Sequence, residues 1–323
     1  MTIDNIKTIC SLGTGTMGSG IAATFAMAGY QVRMFGRSKD SIARGFKSIY
    51  SIIETYESYG LINSVQASEL IARIQGVTTL EDAAEGVDFV IEAVSEDLPV
   101  KQSVFSYLDK ICPAHTIYAS STSGISPSLI STAVSCPDRF IAAHFLNPPH
   151  LMSLVEVIPC KFTSPETITT TLHLLGKLGK TPVLMEKEAP GFIVNRLQMA
   201  LMREALSMIE AGIASPETID ITVKHLSRRF SATGLLEGAD LGGLDVFYNI
   251  ADYLMKDLCN SPNIPLSLAR AKETGNLGAK TGKGFYNWSD TRKIDEIKKF
   301  REDILISWIK KEKDMSLSSY SDQ

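Results

Sequence analysis

Three glycines at a strand-to-helix junction constrain this chain more than any other feature. Thr8-Ile9-Cys10-Ser11-Leu12 reads as a short buried strand, and Gly13-Thr14-Gly15-Thr16-Met17-Gly18 follows it directly. From Met17 to Ala28 small and apolar residues recur at helical spacing until Gly29 stops the run. In such a junction the first glycine permits the tight turn, the second lets a pyrophosphate approach the backbone, and the third lets helix and strand pack closely. The unpaired amides and partial positive charge at the helix start then favour phosphate. Gly13, Gly15, Thr16, Met17 and Gly18 are therefore the predicted phosphate-cradling residues of a dinucleotide site.

The pattern continues as strands alternating with helices. Gln31–Phe35 reads as a second strand, and Ser38 as the cap of a long helix reaching about Tyr59. Further strands are expected at Asp88–Val94, Thr116–Ala119, Arg139–Phe145, Leu154–Ile158 and Pro182–Met185, with a helix near Val100–Ile111. This alternation predicts an α/β domain, a Rossmann-type doubly wound parallel sheet with helices on both faces. After Met185 the pattern turns helical. Phe192–Ala211 is amphipathic, Ser215-Pro216-Glu217 reads as a helix start, and Asp295–Lys313 carries Ile297, Phe300, Ile304 and Trp308 at helical spacing. The expected organisation is a nucleotide-binding domain over 1–187 and an all-α domain over 188–323, with a disordered tail from Ser316.

Charge and cysteine usage narrow the function classes. With 32 basic and 36 acidic residues, net −4, the chain lacks the basic excess of a nucleic-acid binder. Its five cysteines are scattered without Cys-x-x-Cys spacing, which predicts neither a disulfide framework nor a metal site. No apolar run approaches a membrane span and the N-terminus has no apolar signal core, so a cytoplasmic protein is expected.

The second strand carries a departure. An NAD-selective fold places an acid about 20 residues after the glycine loop, where it bonds the ribose hydroxyls. Here the strand ends Phe35-Gly36-Arg37-Ser38. Gly36 leaves room for a 2′-phosphate, and Arg37 and Ser38 could bind one by charge and hydrogen bond, so the pattern favours NADP over NAD. The bland alternative for Arg37 is a solvated loop side chain.

Several downstream motifs point one way. They are Ser121-Thr122-Ser123, His144-Phe145-Leu146-Asn147-Pro148-Pro149, Leu154-Val155-Glu156-Val157 and Pro190-Gly191-Phe192-Ile193-Val194-Asn195-Arg196. Asp240-Leu241-Gly242-Gly243-Leu244-Asp245 and Lys280-Thr281-Gly282-Lys283-Gly284-Phe285-Tyr286 extend the set. In this order they resemble the L-3-hydroxyacyl-CoA dehydrogenase family, which includes 3-hydroxybutyryl-CoA dehydrogenases and the gulonate dehydrogenase/lambda-crystallin branch. The resemblance implies that His144 is the catalytic base and Glu156 its carboxylate partner. It makes Ser123 and Asn195 the groups that bind the substrate oxygen, in a cleft between the domains. It also assigns Glu96, Lys101, Ser123, Asn147 and Lys280 to cofactor contacts and implies a homodimer. The chemistry is sensible on its own terms, because oxidising an alcohol requires removal of the hydroxyl proton and imidazole titrates in the useful range.

In typical acyl-CoA members of that family, serine and lysines on the long helix after the second strand meet coenzyme A. Ile52 and Tyr59 stand at about those positions here, and Glu54 and Glu57 would repel a nucleotide phosphate. Ser121 replaces the usual asparagine before Thr122, and Leu235 the usual proline after Gly234. The leading expectation is a 3-hydroxyacyl-CoA dehydrogenase using NADP or NAD. A dehydrogenase of a free 3-hydroxy acid and a non-catalytic, crystallin-like cofactor binder are the alternatives.

Overall fold

The computed structural model describes residues 3–320, and the side chains through Glu312. The order of elements begins β1 (Thr8–Leu12), α1 (Thr16–Met27), β2 (Gln31–Phe35), α2 (Lys39–Ser58), α3 (Ser64–Ala72) and β3 (Ile74–Val77). It continues with α4 (Leu80–Ala84), β4 (Phe89–Glu92), α5 (Leu98–Ile111), β5 (Ile117–Ser120), α6 (Pro127–Ile130) and β6 (Phe140–Phe145). Then come β7 (Leu154–Pro159), α7 (Pro165–Lys177) and β8 (Thr181–Leu184). The helical remainder is α8 (Val194–Glu210), α9 (Pro216–Thr233), α10 (Leu235–Gly242), α11 (Leu244–Leu254), α12 (Leu266–Glu273) and α13 (Thr291–Tyr320).

The eight strands form one sheet in the order β3-β2-β1-β4-β5-β6-β7-β8. The chain runs outward from β1 to one side and then returns to lay β4 on the other, which makes the carboxyl end of β1 the crossover point where such sheets bind ligands. Strand β1 is apolar on both faces because helices cover both, and Ile9, Cys10 and Leu12 are fully buried. Ser11, also buried, donates its hydroxyl to the Gly18 carbonyl and ties strand to helix.

The sheet is not wholly parallel as expected: β6 and β7 are antiparallel, with His144 directly opposite Glu156. Only residues 146–153 join these strands, too few for the crossover that a parallel pair requires. The edge strand β3 was not expected either. Its Ile-Gln-Gly-Val sequence is short and glycine-interrupted, yet a Cβ on Gly76 would lie 2.4 Å from Ile42, so close packing of α2 selects the glycine.

Contacts divide the chain into two units. One comprises residues up to Asn195 together with the chain from Arg301 onward; the other is Arg196–Phe300. The 1–187 and 188–323 division contained no such return of the chain. Ile306 is buried in the first unit's core, with Leu305 and Ile309 packed against it. The helical segment continues through Tyr320, where a disordered tail from Ser316 was expected, and residues 321–323 lie outside the described residues.

Candidate active site

The candidate residues of the first unit gather because parallel strands all end on the same side of the sheet. The glycine loop follows β1, Glu96 and Lys101 follow β4, Ser121-Thr122-Ser123 follow β5, and His144 stands near the end of β6.

In the loop, Gly13 has φ +118°, and a Cβ there would come within 2.6 Å of the Ala93 carbonyl oxygen. A Cβ on Gly18 would lie 2.1 Å from the Gly13 carbonyl oxygen, backbone against backbone. Gly15 is exposed with nothing near its Cβ position, and it begins α1 without any side-chain cap on the first amides. Open backbone at Gly15 and uncapped amides at Thr16 and Met17 fit a pyrophosphate.

At the end of β2 the geometry removes the argument for NADP. Gly36 is buried, and a Cβ there would meet Ser41 Oγ at 2.6 Å and Thr14 Cγ2 at 2.8 Å, so packing accounts for the glycine. The Ser38 hydroxyl oxygen accepts from the Ser41 amide at 3.2 Å and closes a capping box at the start of α2. Arg37 is exposed.

The loop after β5 is held by a buried charge cluster. Lys101, 1% exposed, places Nζ 2.7 Å from Glu92 Oε1 and 3.1 Å from Glu96 Oε2. Ser120 Oγ donates to Glu92 Oε2 at 2.5 Å. Glu96 Oε1 accepts from Thr122 Oγ1 at 2.5 Å and from the Ser123 amide at 2.8 Å. Partial burial acts to raise the Glu96 pKa, but the Thr122 hydroxyl and the Lys101 ammonium outweigh it and hold the carboxyl below its ordinary value. Glu96 and Lys101, expected at the cofactor, are thus also the fixtures of the Ser123 backbone.

His144 and Glu156 form the centre. The His144 Nδ1 and Glu156 Oε2 atoms are 2.8 Å apart, and Glu156 is fully buried. The other carboxylate oxygen, Oε1, accepts the amides of Ile193 at 2.7 Å and Val194 at 2.9 Å, at the start of α8. A buried carboxylate with three donors is held in one orientation, and it holds the imidazole in turn. Asn195 Nδ2 donates to the Ser123 carbonyl at 2.8 Å, which brings the fourth expected residue to the same loop. Asn147 is exposed just beyond β6, and Lys280 sits in a 3-10 turn of the second unit, Ala279–Thr281.

Sequence reasoning missed Phe192. Its φ is +52°, a left-handed conformation costly for a residue with a Cβ, and it follows Gly191 at φ +75°. The ring is buried, 5.6 Å from the His144 ring between centroids. This double left-handed turn directs the Ile193 and Val194 amides at Glu156; the Pro190-Gly191 pair was its only signal.

Two family models together span most of the chain. Residues 8–189 match the 3-hydroxyacyl-CoA dehydrogenase NAD-binding domain, and residues 191–288 match the C-terminal domain of the same family. A probable 3-hydroxybutyryl-CoA dehydrogenase of Bacillus subtilis is 38% identical over 286 residues, 88% of this chain and 98% of the relative. The 5-formyl-3-hydroxy-2-methylpyridine 4-carboxylate 5-dehydrogenase of Mesorhizobium japonicum is 32% identical over 283 residues, 87% of this chain and 90% of the relative. A crystal structure of an enzyme with that activity, described as an NAD+-dependent dismutase, superposes with a TM-score of 0.86 at 29% identity, covering 94% of this chain and 97% of that one. The matched domain is an NAD-binding one, and the expected preference for NADP finds no support. The chain belongs to the 3-hydroxyacyl-CoA dehydrogenase family, oxidoreductases that act on CH–OH groups.

Proposed function

We propose that this protein oxidises a small hydroxy carboxylate, or reduces its carbonyl counterpart, without requiring a coenzyme A thioester. The His144–Glu156 pair at 2.8 Å is the observation that carries the redox chemistry. With Nδ1–H donated to Glu156, the unprotonated Nε2 is the atom that takes the hydroxyl proton in oxidation and returns it in reduction. Glu156 keeps the ring in that tautomer and offsets the charge of the imidazolium. The Ser123 hydroxyl and the Asn195 amide bind the substrate oxygen and polarise it in the reductive direction. Lys101 and Glu96 serve this step by fixing the 122–123 backbone.

The backbone of Gly13, Gly15, Thr16 and Met17 would hold the cofactor pyrophosphate, with Asn147 as a further contact from the loop after β6. A bound nicotinamide dinucleotide supplies the hydride acceptor or donor. NAD is the preferred form, supported by the NAD-binding family match and by packing as the reason for Gly36.

Two observations favour a substrate without coenzyme A over the thioester. Ile52, one of the α2 positions that the resemblance assigns to coenzyme A, is buried in the core. Tyr59, the other, donates its hydroxyl to Asp303 of α13, and Lys310 lies over its ring. Contact with α13 at a position that the resemblance assigns to coenzyme A supports a substrate without that group. The Mesorhizobium relative, by its name, acts on a pyridine carboxylate. A homodimer is supported by apolar side chains left open on the second unit, with Leu236 and Leu241 almost four-fifths exposed. The five free cysteines suit a reducing compartment. A steady-state survey crossing acetoacetyl-CoA, free 3-hydroxy acids and aromatic hydroxymethyl or formyl carboxylates with both nicotinamide cofactors tests the reading. Turnover confined to the thioester would overturn it.

A further inference from the structure

The loop between the two catalytic strands, residues 146–153, is held from outside by side chains that hydride transfer does not use. Lys180, between α7 and β8, points Nζ at two of its carbonyl oxygens, Pro149 at 2.7 Å and Met152 at 2.8 Å. Tyr56, on α2, donates its hydroxyl to the carbonyl between them, His150, at 2.7 Å. Within the loop the Leu151 and Met152 amides both donate to the Pro148 carbonyl at 3.0 Å. Three of the loop's carbonyls, those of Pro149, His150 and Met152, therefore have side-chain donors from two separate parts of the chain. A charged donor makes a stronger hydrogen bond to a carbonyl than a neutral one, so Lys180 is the stronger holder.

These groups border a cavity of about 670 Å³, whose wall includes Leu61, Ile62, Leu178 and Ile309. Burial in that wall pushes the Lys180 ammonium down to about 8, with Glu312 of α13 working in the opposite direction. A lysine kept there against its solvation is expected to have a local task.

We infer that Lys180, assisted by Tyr56, is a positioning residue that clamps the 146–153 loop and so sets where Asn147 meets the dinucleotide. The inference rests on the reading of Asn147 as a cofactor contact. His144 and Glu156 are fixed separately, by their place in the β6–β7 ladder, so the clamp acts on cofactor affinity and leaves proton transfer intact.

The test compares Lys180→Met, Lys180→Arg, Tyr56→Phe and Asn147→Ala in the full-length chain. Lys180→Met should raise the KM for NADH about tenfold, the loss of one good hydrogen bond, with kcat within about twofold. Lys180→Arg should restore most of the affinity, since a guanidinium can reach both carbonyls, and Tyr56→Phe should show a smaller effect of the same kind. Hydrogen exchange in the free enzyme reads the clamp without turnover: the Leu151 and Met152 amides should exchange faster in Lys180→Met while those of β6 and β7 hold. Unchanged exchange at those amides in both Lys180→Met and Tyr56→Phe overturns the clamp. Should Asn147→Ala leave the KM for NADH unchanged while exchange responds to Lys180, the clamp stands and the assignment of Asn147 fails. A fall in kcat with KM unchanged would instead make Lys180 part of the chemistry and overturn the inference.

Discussion

Replacing Glu156 by glutamine leaves the shape of the catalytic pair nearly intact and changes which atoms can accept. The wild-type carboxylate accepts from Ile193 and Val194 on Oε1 and faces His144 Nδ1 with Oε2. A glutamine must choose. With its nitrogen toward α8, two buried N–H groups lose their acceptor, at roughly 1–3 kcal/mol each. With its oxygen toward α8, both amides stay paired and the nitrogen faces His144. The second arrangement wins by several kcal/mol on that estimate. It forces Nδ1 to become the acceptor and moves the ring proton to Nε2, the atom that must take the substrate proton. The expected loss in kcat is therefore about 10²–10⁴-fold, the contribution of a correctly protonated general base. Melting should fall by only a few degrees, because the α8 amides keep an oxygen acceptor. Nicotinamide absorbance at saturating substrate and cofactor gives kcat, and ¹⁵N spectra of the histidine side chains report the tautomer. A Glu156→Gln enzyme with kcat within about threefold of wild type would refute the tautomer argument.

Four further outcomes are expected. His144→Gln should lower kcat by about 10²–10⁴-fold while dinucleotide affinity, read by nucleotide fluorescence titration, stays within a few-fold. Gly18→Ala forces a Cβ to 2.1 Å from the Gly13 carbonyl, so the loop must shift; the cost is about 1–3 kcal/mol in thermal melts, with weaker NADH binding in the same titration. Arg37→Ala should leave the KM for NADH within about threefold, because the side chain is exposed; a loss of NADPH use alone would restore the 2′-phosphate role. Burial, reinforced by Lys180 and Arg301, pushes the His150 imidazole down to about 4 from 6.5. The unfolded chain thus takes up that proton first, and stability present above about pH 6.5 drains away toward pH 4, by up to about 3 kcal/mol. His150→Phe should flatten this acid-side fall in Tm, measured from pH 7.5 to 5.

The sequence was most legible where one local rule decided the outcome. The glycine loop was readable because each glycine answers a separate steric demand, and Gly13 and Gly18 meet backbone where a Cβ would stand. The family resemblance singled out His144, Glu156, Ser123 and Asn195, and contacts within one unit link them as two pairs. Gly36 misled, because a missing carboxylate and a crowded helix start leave the same letter in a sequence. Lys101 was read from the resemblance as a cofactor contact, and its ion pairs were not legible, since nothing local reveals that Glu92 and Glu96 converge on it. Phe192 was read as ordinary helix because a positive φ on a residue with a Cβ is imposed by tertiary packing. The return of the chain from Arg301 was hidden for a related reason. Its apolar spacing at Ile297, Phe300, Ile304 and Trp308 identifies a helix and says nothing of which core receives it.

The antiparallel β6–β7 pair has a kinetic consequence. Every other neighbour in this sheet must be found across an intervening helix or a longer stretch of chain, and the price of that search is loop-closure entropy. β1 meets β4 only after α1 to α4 have been laid down, whereas β6 and β7 close across residues 146–153. Contacts local in the chain form early and non-local ones late. The pairing of His144 with Glu156 is thus among the first strand contacts available to a refolding chain, whereas the β1–β4 contact beneath the nucleotide crevice closes the longest loop in the sheet.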